Sequence, residues 1–196
     1  MKQGEWLVKR FKNVSHCIIP LDSVYNNFQD SVGSSFDNEM AFANTKSRLR
    51  MVTLHQISGS KKGLVVGTGN KVEDFGVGFY TKYGDGGVDI SPIADLFKSE
   101  VYELAKELDV MQEIIDAPPT DGLWEDGRTD QDQLGGLTYD QMERAMDLDQ
   151  KGAITIGDDS SLLQNYRDIR KQNLHKMEPI PVYKKKWLNI FAPHYW

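Results

Sequence analysis

One run of seven residues narrows the folds open to this chain. Leu64-Val65-Val66 passes without a spacer into Gly67-Thr68-Gly69-Asn70. Three aliphatic residues in a row, two of them β-branched, read as a strand buried on both faces. Glycines directly behind such a strand let the backbone approach a ligand. A helix is predicted from Lys71, and its N-terminus attracts anions. Two more short strands are predicted at 14–19, closed by Pro20, and at 88–90, stopped by Ser91-Pro92. Between them lie helical patterns at 40–58, 98–108, 111–117, 138–148 and 160–175. In the second of these, Val101, Leu104, Ala105 and Leu108 share a face. Residues 2–11 read as the last turns of a helix with a cationic end, which the helix dipole favours. Residues 26–38 are polar, contain Gly33-Ser34-Ser35, and read as a loop. Strands alternating with helices imply an α/β protein with a doubly wound parallel sheet and ligands beyond the carboxyl ends of its strands.

Composition excludes several other classes. Of 196 residues, 39% are hydrophobic and 27% charged, a globular mixture. The formal net charge is −6, and no basic stripe is present to meet nucleic-acid phosphates. No apolar run approaches the roughly 20 residues of a membrane span. The one cysteine, Cys17, rules out an internal disulfide and suits a reducing cytoplasm. The opening Met1-Lys2-Gln3-Gly4-Glu5 has no apolar core of a secretory signal.

Three stretches carry chemistry. Asn44-Thr45-Lys46-Ser47-Arg48-Leu49-Arg50 places three cations in five residues near the start of a helix. It reads either as a solvated basic face or as an anion site, since arginine grips phosphate or carboxylate bidentately. Gly67-Thr68-Gly69-Asn70 lacks the third glycine of a dinucleotide fingerprint and the Lys-Ser/Thr of a P-loop. A tight turn and an anion-binding turn both remain open. Glu73 behind it is either a helix-dipole partner or a metal ligand. Thr81-Lys82-Tyr83-Gly84-Asp85-Gly86-Gly87-Val88-Asp89 has three glycines in four residues, more than a plain turn needs, and points to close ligand approach.

Other sites are set aside. Five acids lie between Asp121 and Asp132, but Leu123 and Trp124 break the alternation of a calcium loop. The four histidines have no zinc-ligand spacing, and no nucleophile elbow is present. Residues 120–136 form a long acidic loop of the kind that serves as a lid.

Taken in order, these motifs resemble the ammonia-dependent NAD synthetase family over roughly residues 14–181. The family's Asn-x-Lys-x-Arg-x-Arg helix is Asn44 to Arg50, its Gly-Thr-Gly-Asn-Lys-x-Glu segment is Gly67 to Glu73, and its Thr-Lys-Tyr-Gly-Asp-Gly-Gly-x-Asp loop is Thr81 to Asp89. Pro119-Thr120-Asp121-Gly122-Leu123 and His175-Lys176 match two further motifs. The resemblance implies an adenine nucleotide alpha hydrolase-like fold and NAD biosynthesis. ATP, deamido-NAD and ammonia would give NAD, AMP and pyrophosphate through an acyl-adenylate. It implies that Arg48, Lys82, Asp89, His175 and Lys176 contact deamido-NAD. Thr68, Lys98 and Thr120 would contact ATP, Glu73 would hold Mg2+, and Asp85 would accept a proton from ammonium. The 120–136 loop becomes the lid that keeps water from the adenylate. The family implies a cytoplasmic homodimer with no nucleic-acid or membrane partner.

One departure stands out. The family's Ser-Gly-Gly-x-Asp-Ser loop, which cradles the ATP pyrophosphate, has no counterpart in these residues. The helix at 2–11 then corresponds to the end of the family's second helix and 14–19 to its third strand. The doubly wound sheet is expected to be N-terminally incomplete, with exposed strand edges and apolar surface, and the chain alone is expected not to adenylate. The expected division is an α/β domain at 1–178 and a Pro/aromatic tail at 179–196. A non-catalytic nucleotide-binding or dimerising remnant, or another ATP-pyrophosphatase amidator such as a GMP or asparagine synthetase, are the alternative readings.

Overall fold

The computed structural model describes residues 2–154 and 156–184. The tail aromatics Trp187, Phe191, Tyr195 and Trp196 lie outside the described residues. No described helix is long and apolar enough to cross a membrane.

Eight α-helices are assigned among the described residues: α1 Lys2–Arg10, α2 Asp22–Val32, α3 Glu39–Lys61, α4 Lys98–Glu107, α5 Gln112–Ile115, α6 Asp130–Gln133, α7 Tyr139–Gln150 and α8 Asp158–Met177. A 3-10 turn at Ser34–Phe36 and a π-helix at Lys71–Val77 complete the set. Local chemistry fixes the main boundaries. Asn38 caps α3 by accepting from the Ala41 N–H at 2.9 Å. The same helix ends at Lys62, in the left-handed conformation (φ 56°). There the Lys62 and Gly63 N–H groups bond back to Gly59 and Ser58 at 3.3 and 2.8 Å. Thr138 caps α7 in a reciprocal box with Gln141.

The strands predicted at 64–66 and 88–90 meet in parallel at a single bridge, Val66 to Ile90. Gly67 N–H donates to Ile90 O at 2.7 Å and Asp89 N–H to Val65 O at 3.0 Å. Of these strand positions only Val65 is buried, and Leu64, Val66 and Ile90 are exposed. The apolar surface expected at the strand edges is therefore present. Residues 14–19 correct the expectation of a buried strand. They form no regular element, have no strand partner among the described residues, and leave Ile18 58% and Ile19 45% exposed.

Residues 26–38 are not a loop. They are mostly α2 and the 3-10 turn. Tyr25, at the foot of α2, stands edge-on to Phe42 of α3, ring centres 6.4 Å apart, and this contact outweighs the polar composition.

The core lies elsewhere than at the bridge. Val72 and Val77 of the π-helix, Leu134 and Leu137 behind α6, Met142 and Ala145 of α7, and Leu163 and Tyr166 of α8 form one buried cluster. The helical pattern at 98–108 forms α4 as expected, but its apolar face is only partly covered: Val101 and Ala105 are half-buried, and Leu104 and Leu108 are exposed.

Candidate functional site

The glycine turn leads into a π-helix rather than an α-helix. Asn70, 2% exposed, holds its start by accepting from the N–H groups of Val72 and Glu73 at 3.0 and 3.1 Å. The carbonyls at the C-terminal end of this helix and just beyond it have no intrahelical donor. Side chains of α8 take them at three-residue intervals along one face. Arg170 donates to Phe75 O and to Gly76 O (2.7 Å), Asn173 to Val77 O (3.0 Å), and Lys176 to Gly78 O and Tyr80 O (2.9 and 2.7 Å). Burial lowers the Lys176 ammonium below the usual lysine range.

On the other side of the π-helix, Glu73 and Lys98 form a largely buried ion pair at 2.9 Å. Lys98 sits at the first residue of α4, and its neighbour Ser99 fixes that end of α4 to α7. The Ser99 N–H and hydroxyl both donate to the carboxylate of Glu143, at 3.0 and 2.7 Å. Tyr139 Oη stands 2.6 Å from Glu73 Oε1 and 3.0 Å from Asp130 Oδ2. Burial, with Glu73 close by, holds the Tyr139 phenol far above its ordinary value, and burial raises the Asp130 carboxyl.

The residues assigned to deamido-NAD come from three separated segments. Arg48 Nε, on α3, donates to Lys82 O at 3.3 Å. Lys82 Nζ reaches His175 O at the end of α8. Lys176 joins the same segment through Gly78 and Tyr80. Asp85 is tied to α3. Its Oδ1 accepts from Ser47 Oγ at 2.7 Å and from Thr81 N–H at 3.0 Å. Thr81 Oγ1 in turn donates to Asn44 Oδ1 at 2.6 Å. The glycines of the loop serve this packing. A Cβ on Gly84 would stand 2.3 Å from Ser47 Oγ, and one on Gly86 2.4 Å from the Tyr80 ring.

Three assigned residues stand apart from this group. Thr68 is exposed in the turn, and no hydrogen bond of its hydroxyl is recorded among the described residues. Asp89 faces the bridge, its Oδ2 accepting from Val65 N–H at 2.7 Å. Thr120 lies at the foot of the 120–136 segment, where its hydroxyl donates to Arg128 O at 3.2 Å.

That segment docks on α3. Lys46 Nζ donates to Leu123 O at 3.0 Å, and Arg50 to the carbonyls of Asp121 and Gly122 at 3.2 and 3.1 Å. Arg128 stacks over Trp124 at 4.1 Å and reaches Glu39 at 3.4 Å. Trp124 Nε1 donates to Gln133 Oε1 at 2.8 Å. A cleft of about 330 Å³, lined by Tyr25, Phe42, Lys46, Leu123 and Trp124 among others and rimmed by acids, runs between the segment and α2–α3.

Several groups in the site carry no motif of their own. Ser47, Tyr139 and Asp130 are ordinary residues until the fold brings them to Asp85 and Glu73. Asp74 is another. Its carboxylate lies against Gly69, and burial, with Glu73 and Asp85 adding like charge, pushes it up to about 7.

The NAD synthase family profile matches residues 2–185. The NH(3)-dependent NAD(+) synthetase of Thermoplasma acidophilum is 41% identical over 135 residues, 68% of this chain and 54% of the relative. That of Carboxydothermus hydrogenoformans is 35% identical over 173 residues, 87% of this chain and 67% of the relative. The solved NMN synthetase from Francisella tularensis superposes with a TM-score of 0.79 at 31% identity, covering 94% of this chain and 73% of that one. The chain thus spans from about half to two thirds of the length of these curated relatives. The α/β class expected from the sequence is the fold it shares with them.

Proposed function

Because the chain belongs to the NAD synthase family, we propose that it takes part in the ATP-dependent amidation of deamido-NAD by ammonia. The deamido-NAD carboxylate attacks the α-phosphate of ATP and displaces pyrophosphate. Ammonia then opens the acyl-adenylate, releasing NAD and AMP. The observation that carries this reading is the chain of contacts from Arg48 through Lys82 to His175, with Lys176 beside it. Cations from three distant segments converge there, as recognition of a multiply anionic dinucleotide requires.

In this reading Arg48, Lys82, Asp89, His175 and Lys176 bind deamido-NAD, and Thr68, Lys98 and Thr120 bind ATP. Lys98 exchanges its Glu73 partner for phosphate. Ser47 and Thr81 hold Oδ1 of Asp85, and Oδ2 is left to take the proton that ammonium must lose before its nitrogen can attack. Glu73 offers a hard oxygen suited to Mg2+. When bound, the ion offsets the charge of departing pyrophosphate. The 120–136 segment keeps water from the adenylate. A cytoplasmic homodimer completes the proposal, and the exposed Ile18, Ile19, Leu64, Val66 and Ile90 support pairing of copies.

A second reading, amidation of the corresponding mononucleotide acid, is favoured by the likeness to the Francisella NMN synthetase. Calorimetric titration with deamido-NAD, nicotinate mononucleotide and xanthosine monophosphate separates the readings. Deamido-NAD is expected to bind most tightly, and the purine acid not at all. Tighter binding of the mononucleotide supports the second reading, and preferential binding of the purine overturns both.

A further inference from the structure

Two carboxylates face one phenol. Tyr139 Oη lies 2.6 Å from Glu73 Oε1 and 3.0 Å from Asp130 Oδ2. The two carboxylate oxygens are therefore no further apart than those distances laid end to end. A phenol has one proton and cannot donate to both. The other oxygen of Asp130, Oδ1, is buried without a hydrogen-bond partner among the described residues, and Asp130 as a whole is only 7% exposed. Folded proteins rarely leave a buried carboxylate oxygen in that condition. The positive charge at hand is Lys98, whose Nζ is 2.9 Å from Glu73 Oε1 and 4.9 Å from the centre of the Tyr139 ring. One lysine against two carboxylates leaves the group short of one positive charge.

These features share one explanation. Magnesium and manganese take one or two protein carboxylates and complete their shells with water and substrate phosphate. We propose that Asp130 is a second protein ligand of the divalent cation that Glu73 holds. Tyr139 is the positioning residue that keeps the two carboxylates facing each other. The proposal rests on the reading of Glu73 as a cation ligand. Lys98 supplies the countercharge while no cation is bound and is freed for phosphate when one arrives. Asp130 opens α6 inside the 120–136 segment, and its N–H donates to Pro119 O at 3.1 Å, next to Thr120. Cation binding would thus fasten that segment over the nucleotide site.

The test is titration of the full chain with Mn2+ alone, following the free-ion signal by electron paramagnetic resonance. The wild type is expected to bind one ion. Asp130→Asn and Glu73→Gln are each expected to weaken binding by about 10-fold or more, and Tyr139→Phe by a smaller factor. Tyr139→Phe also keeps the test decisive if Asp130→Asn fails to fold, because an affinity equal to wild type in the phenylalanine variant contradicts the positioning role. If Glu73→Gln loses the ion and Asp130→Asn binds it as wild type, this proposal falls and the Glu73 reading stands. If the wild type binds no Mn2+, or Glu73→Gln binds it unchanged, both fall.

Discussion

Ser47 and Asp85 hold each other twice. The serine hydroxyl donates to Asp85 Oδ1 at 2.7 Å and accepts the Asp85 N–H at 3.0 Å. This reciprocal pair fastens the glycine-rich loop to α3 one residue from Arg48. Ser47 is 4% exposed and makes two hydrogen bonds to Asp85, and its removal loses both. Ser47→Ala is expected to lose about 1–3 kcal/mol of stability, measured by urea unfolding. It should also weaken deamido-NAD binding, because Arg48 and the loop lose their common anchor.

The same loop leaves no room at Gly84. A Cβ there would stand 2.3 Å from Ser47 Oγ and 2.8 Å from Thr81 Cβ. Gly84→Ala is therefore expected to cost about 1–3 kcal/mol by overpacking. Gly122, whose Cβ position is open but whose φ is +61°, supplies a comparison in the same unfolding experiment. Gly122→Ala would be strained by backbone conformation alone and should leave the Ser47–Asp85 pair intact.

Lys46 and Arg50 hold the 120–136 segment by its backbone carbonyls. Each bond is worth about 0.5–1.5 kcal/mol, and more with a charged donor. The double variant Lys46→Ala/Arg50→Ala should raise the opening equilibrium of the segment by about 10-fold or more. Hydrogen exchange at residues 121–129 should speed up accordingly, with exchange in α7 and α8 unchanged. Equal acceleration throughout would mean that the two cations stabilise the whole fold and not the segment.

Asp74 makes stability depend on pH. Its carboxyl titrates near 7 in the folded chain and near 3.8 when unfolded. Between those values the folded state holds a proton that the unfolded state has released, so this group lowers stability as pH rises and does so fully above 7. Asp74→Asn, studied with EDTA present, should match the wild type near pH 4. It should gain about 1–3 kcal/mol over it at pH 8, after allowance for partial solvent screening. Glu73, Asp85 and Tyr80 are the titratable groups around it. A variant advantage independent of pH would contradict the assigned cause.

Much of the site was legible because its chemistry is written in short contiguous motifs. Glycine spacing marked the 81–89 loop, and the glycine turn marked the approach to Glu73. The Glu73–Lys98 pair and the convergence of Arg48, Lys82, His175 and Lys176 joined residues already singled out. The positions of 64–66 and 88–90 and the parallel sense of the sheet were legible, but not which segments pair or how far. Apolar runs announce a strand without saying whether neighbours cover it, and Ile18 and Ile19 have none among the described residues. Helix α2 was missed because its polar composition hides the Tyr25–Phe42 contact, which is tertiary. The π-helix was missed for a related reason: its carbonyls depend on Arg170, Asn173 and Lys176, about a hundred residues away. Tyr139 and Asp130 gain meaning only by standing beside Glu73, which no spacing rule encodes.

We propose that these 196 residues hold the pyridine-nucleotide and cation side of an amidating site, and they contain no Ser-Gly-Gly-x-Asp-Ser cradle for pyrophosphate. The direct measurement pairs calorimetric binding of deamido-NAD with NAD formation from ATP, deamido-NAD and ammonium by the same purified chain. The expected result is saturable binding, weakened at least about 10-fold in Arg48→Ala, with NAD formation orders of magnitude below that of relatives carrying the cradle. Turnover equal to those relatives, or no binding of deamido-NAD at all, would contradict it.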